Sequence, residues 1–74
     1  MERDNLMHGA RRALNTIPEL RAWAEEYLKE KTRSENQHLS EEEFEVYWKY
    51  HKPEIIHAGA VEAVEAYKTH RKNQ

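Results

Sequence analysis

Five histidines, fourteen acidic residues and no cysteine set the chemistry open to this chain. Its one pairing at useful helical spacing is Glu54-Ile55-Ile56-His57, which puts a carboxylate and an imidazole at i, i+3 on one helix face. Di-iron bundles use two such motifs plus two further glutamates from facing helices. Here a metal centre would need a homodimer and Glu25, Glu26 or Glu30 besides. Glu54 also follows Pro53 at a helix start, where an acid is expected for the helix dipole alone. Glu54 and His57 are thus the candidate ligands of a metal site that is not expected to exist.

Covalent catalysis has little more to draw on. Without cysteine, thiolate chemistry and disulfides are excluded. Ser34 and Ser40 are the only serines, and Ser40 is accounted for as a helix cap. Gly9 and Gly59 stand alone, so no glycine-rich loop can cradle a phosphate. The many carboxylates fall in exposed helical turns with nothing to push their pKa values apart. The expectation is a protein without enzymatic activity and without a cofactor.

Phe44-Glu45-Val46-Tyr47-Trp48-Lys49-Tyr50-His51 carries more information. At about 100° per residue, Phe44, Tyr47, Trp48 and His51 share a face that belongs to the core, while Val46 and Tyr50 lie opposite. A helix apolar on two sides is either sandwiched or keeps one face for a partner. A 74-residue chain has few layers to sandwich anything. Tyrosine supplies large contact area at modest entropy cost. Val46, Lys49 and Tyr50 are therefore the expected partner-binding residues, with Arg11 and Arg12 as a polar rim.

The elements that position these residues are helical. Only two glycines and two prolines occur, against many Ala, Glu, Leu, Lys and Arg. Leu6, Ala10, Ala13, Leu14 and Ile17 form one stripe, and Leu20, Trp23, Ala24, Tyr27 and Leu28 a second. Thr16 and Glu19 have the spacing of a capping box around Pro18. Ser40 and Glu43 form another, with Leu39 and Phe44 placed as a hydrophobic staple. Pro53 ends or kinks the next helix, and Ile56, Ala60, Ala63, Val64 and Tyr67 give a last stripe. Ala58, Gly59, Ala60 and Ala63 leave a smooth patch for close backbone approach. The pattern predicts an all-α, single-domain bundle (1–74) of four short helices, at about 4–16, 17–31, 41–52 and 54–70. Residues 31–39 form the longest loop and 71–74 a frayed tail.

Charge separates along the chain. Residues 1–33 carry seven bases and six acids, 34–66 two bases and eight acids, and the last eight three bases and no acid. Most of this follows the helix dipole, with acids at helix starts and bases at helix ends. His8, Arg11, Arg12 and Asn15 fall opposite Leu6, Ala10 and Leu14 as a short outward basic strip, and a nucleic-acid reading would use Arg11 and Arg12 from it with Lys68, Arg71 and Lys72 of the tail. A net charge of −2 disfavours it, since such binders usually carry a clear positive excess. No run approaches the roughly 20 apolar residues of a spanning helix. Glu2, Arg3 and Asp4 have no apolar run behind them, so no signal peptide is read. The expected location is cytoplasmic, without a membrane partner.

Arg11-Arg12…Thr16-Ile17 followed by Leu39-Ser40-Glu41-Glu42-Glu43-Phe44-Glu45-Val46-Tyr47 resembles the small Hha-type nucleoid-associated modulators, which are all-helical and of similar length. Beyond Tyr47 the chain departs from that family. Lys49-Tyr50-His51-Lys52-Pro53 replaces its acidic-His-Arg segment, and its C-terminal Trp is missing, so membership is not claimed. The resemblance implies a regulator that works through a protein partner. The leading expectation is a non-catalytic adaptor, inhibitor or modulator that docks on a larger protein, with homodimerisation left open. The alternative is a nucleic-acid-associated regulator.

Overall fold

The computed structural model describes the backbone of residues 2–73 and the side chains of 5–73. Among them the all-α class holds, but there are three helices rather than four: α1 (Glu2–Thr16), α2 (Pro18–Glu35) and α3 (Glu41–Lys72).

The first break is a single residue. Pro18 disfavours helical backbone at the residue before it, and Ile17 is extended at φ −116° and ψ 98°. The expected Thr16/Glu19 capping box is absent. Thr16 is still helical and donates its hydroxyl back to the Arg12 carbonyl at 2.9 Å, leaving Ile17 as a cap without a side-chain bond. Pro18 starts α2, where the missing N–H costs nothing.

The second break is shorter than the expected loop over 31–39, because α2 runs on to Glu35. Its last turn is held by side chains. Buried Thr32 donates to the Leu28 carbonyl at 2.7 Å, and the Asn36 amide donates to the Thr32 carbonyl at 2.8 Å. Arg33 donates to the Leu39 carbonyl at 2.8 Å and lies 5.1 Å from the centre of the Phe44 ring. α3 then opens on the capping box read from sequence. Glu43 N–H donates to the Ser40 hydroxyl at 3.2 Å, and Ser40 N–H to the Glu43 carboxylate at 3.0 Å. These bonds hold the Glu43 carboxyl below its ordinary pKa, the backbone N–H of Ser40 being the larger cause. Leu39 packs at the edge of the core that contains Phe44.

The expected third and fourth helices are one. Pro53 lies inside α3 and cannot give an N–H to the Lys49 carbonyl. An interior proline costs about 3 kcal/mol relative to alanine. Core packing on both sides offsets that cost, with Phe44 and Trp48 buried before it and Ile56, Ala60 and Ala63 after it. The helix changes course there. Along its first arm, Phe44 lies at Arg33, Glu45 at Lys29 and Lys52 at Glu25, running antiparallel to α2. Gly59 then meets Leu28 and Glu62 meets Lys31, while Tyr67 meets Trp23, so the second arm does not continue that register. The bend falls between Lys52 and Gly59.

The second arm wedges its small residues into the bundle. A Cβ on Gly59 would stand 2.8 Å from a methyl of Leu28, and Ala60 and Ala63 are fully packed. The smooth patch is therefore an intramolecular contact with α2, although Ala58 stays exposed. The expected frayed tail is helical through Lys72, and Asn73 N–H donates to the Thr69 carbonyl at 3.2 Å. Gln74 lies outside the described residues. Ala10, Leu14, Leu20, Ala24 and Leu28 complete the core. The ends of the α1 stripe do not join it: Leu6 and Ile17 are exposed.

Candidate docking face

The first arm of α3 has two unlike sides. Phe44 and Trp48 point into the bundle, and Tyr47 and His51 cover its margin with ring centres 4.4 Å apart. Opposite them, Val46 is 69% exposed and Tyr50 81% exposed, more than any other large hydrophobic residue among those described. The Tyr50 ring meets His51 edge-on at 5.1 Å, which steadies it without covering it. Lys49 is exposed one turn beyond Val46.

Pro53 and His57, both exposed, continue this line. Residues 46, 50, 53 and 57 follow the i, i+4, i+7, i+11 spacing of a helix seam. Ending a helix at Pro53 hides that pattern; a continuous α3 reveals it. The line forms a ridge along the first arm, and at its far end Pro53 and His57 border a cleft of ≈ 310 Å³ shared with Arg11, Asn15 and Arg21.

Acids flank the ridge along the first arm. Glu42, Glu43 and Glu54 are exposed and lie within about 60° of the line through Val46 and Tyr50. Glu54 has His51 as its neighbour, with Nδ1 at 3.9 Å. Beside the ridge, α2 and α3 enclose an open cleft of ≈ 570 Å³ whose lining includes Glu26, Glu30, Glu41, Glu42 and Glu45. Its two cations are already engaged, Lys29 by Glu45 at 3.5 Å and Arg33 by the turn. Lys52 is drawn the other way, into an ion pair with Glu25. That hydrogen bond to Lys52 is the main cause that lowers the Glu25 pKa, and Arg21 at 3.5 Å adds to it.

The basic residues are not gathered into one strip. Arg11 is half-buried against α3 and donates its Nε to the His57 carbonyl at 3.2 Å, rather than facing away from the bundle. Arg12 is exposed. Lys68, paired with Glu65 at 3.5 Å, is eleven residues beyond His57, about 16 Å along the helix. Arg71 and Lys72 lie in the last turn of α3, where cations complement the helix dipole. Glu54 and His57 are exposed, and among the described residues no three His, Asp or Glu side chains converge as metal ligands. Glu25, which a shared site would have borrowed, is committed to Lys52.

A ring cluster escaped notice in the sequence. Trp23 stacks on Tyr27 at 5.2 Å and meets Tyr67 at 5.4 Å and His70 at 5.3 Å. The cluster ties the end of α3 to α2, and Trp23, Tyr67 and His70 border an open cleft of ≈ 430 Å³ with Glu19, Glu26 and Arg71. The spacing of Tyr67 and His70 on one helix face was the available signal.

Among the described residues no helix is long and apolar enough to cross a membrane. No protein-family model matches the chain, no curated protein is similar to it, and no solved structure matches its fold.

Proposed function

We propose that the protein is a non-catalytic helical module of the cytoplasm that acts by docking on a larger protein. The ridge of α3 is the contact, with Val46 and Tyr50 as anchors and Lys49 beside them. The observation that carries this reading is the exposure of Val46 and Tyr50 on a helix whose opposite side already fills the core. In a contact, an exposed tyrosine next to a branched aliphatic side chain gives the large area typical of hot spots. Arg12 is free to join the rim, whereas Arg11 serves the bundle first. An adaptor, an inhibitor or a modulator would each use such a face.

The experiment is capture from native lysate by the intact domain and by a Val46→Ala/Tyr50→Ala variant. Both should unfold at the same urea concentration, because neither side chain is buried. The intact domain should retain a protein that the variant loses. Equal retention by both would remove the ridge as the docking surface.

A further inference from the structure

Resting on the docking reading, we infer that the occupant of the α3 ridge is a cationic amphipathic helix of another protein, not a second copy of this chain. The ridge presents apolar groups at helix-seam spacing, the form in which one helix lies along another. Its flanks choose the partner's charge. Residues 41–54 hold five acids and two bases, and one of those bases, Lys52, is turned to Glu25 on α2. Along the first arm Glu42, Glu43 and Glu54 flank the seam against Lys49, while Arg11 and Arg21 stand by Pro53 and His57 at its far end. The Ser40 N–H bonds the Glu43 carboxylate and holds its pKa below the ordinary value.

A second copy fits this face poorly. A two-fold contact sets the same patch against itself. The antiparallel register that packs Val46 of one copy on Tyr50 of the other brings Glu42 opposite Glu54, and does so twice. Like charges placed across a contact are a penalty rather than a bond. Phosphates meet the same repulsion, so nucleic acid is no better an occupant.

The test uses two synthetic peptides of about 18 residues, a length that favours helix. They share one leucine stripe and differ only in flanks of lysine or of glutamate. Each is titrated against the full chain by fluorescence anisotropy at low and high salt. The lysine peptide should bind at least about tenfold more tightly than the glutamate peptide, and more weakly as salt rises. Tyr50→Ala should weaken the lysine peptide at least about tenfold. Glu42→Gln with Glu54→Gln should weaken it several-fold and flatten the salt dependence. Indifference to Tyr50→Ala would overturn the inference, since the attraction would then be to overall charge. So would a concentration-dependent dimer, seen by sedimentation, that Val46→Ala/Tyr50→Ala dissolves. Equal, Tyr50-dependent binding of both peptides would overturn the cationic partner while leaving the docking reading intact. Loss of the docking reading itself shows separately, as lysate capture that ignores both anchors.

Discussion

The two arms of α3, either side of Pro53, solve the same packing problem differently. Before the proline, Phe44 and Trp48 fill the core with rings, and only one side of the helix is used. After it, Ile56, Ala60 and Ala63 are buried, with Gly59 against Leu28, so the backbone comes close to its neighbours. Val61 and Val64 pack at the edge of the same core. No large hydrophobic residue of the second arm is left exposed, whereas the first leaves two. Small residues let a helix be surrounded; large ones anchor it from one side and leave the other free. The first arm is built to hold and to present, the second to be enclosed.

The largest test of that contrast lies within the first arm. Trp48→Ala should cost about 3–5 kcal/mol in urea unfolding, the usual range for a large buried ring. Tyr50→Ala, two residues on, should stay within about 0.5 kcal/mol of the parent, as surface changes do. Similar losses for both would mean that the outer side also serves the core. Ser40→Ala comes next, at about 1 kcal/mol, because the arm then loses the hydroxyl that caps it. Full retention of stability would show that core packing alone sets where α3 begins.

Glycines sharpen the comparison at smaller scale. Gly9→Ala has open space around its new methyl and should stabilise by about 0.5–1 kcal/mol through helix propensity. Gly59→Ala should gain less or lose, since the methyl must displace buried Leu28. An equal gain at both positions would mean that the second arm is looser than its contacts indicate. The smallest effect concerns the junction of the arms. Lys52 lowers the folded pKa of Glu25 below the ordinary 4.5, so the pair's contribution is complete above that value. It is lost as pH falls through the lower folded value, and Glu25→Gln should make stability less dependent on pH across that interval. An unchanged acid profile in that variant would show that Lys52 and Glu25 are held no differently from free surface groups.

Legibility in the sequence follows the range of the interactions involved. The Ser40–Glu43 box spans three residues and could be read outright. The Thr16–Glu19 box had the same letters and failed, because Pro18 made Ile17 the extended residue one position later. Thr32, Arg33 and Asn36 lengthened α2 through bonds that no periodicity displays. Pro53 was taken as a boundary because its local cost is plain, while the burial that offsets it is tertiary. On the first arm, the exposure of Val46 and Tyr50 follows from counting apolar sides. The ridge through Pro53 and His57 does not, since it exists only if the helix is continuous. Arg11 looked outward on a helical wheel and is instead tied to the His57 carbonyl, a contact forty-six residues away in sequence.

The tight, side-chain-bonded turn between α2 and α3 also bears on the order in which the molecule comes apart. A connection of a few residues costs little entropy to close, so the α2–α3 hairpin can form early and open late. α1 joins through a one-residue corner and leaves Leu6 of its N-terminal half exposed, with less packing to hold it. Amide hydrogens of α1 should therefore exchange with solvent before those around Leu28 and Trp48, through partial openings that leave the hairpin closed.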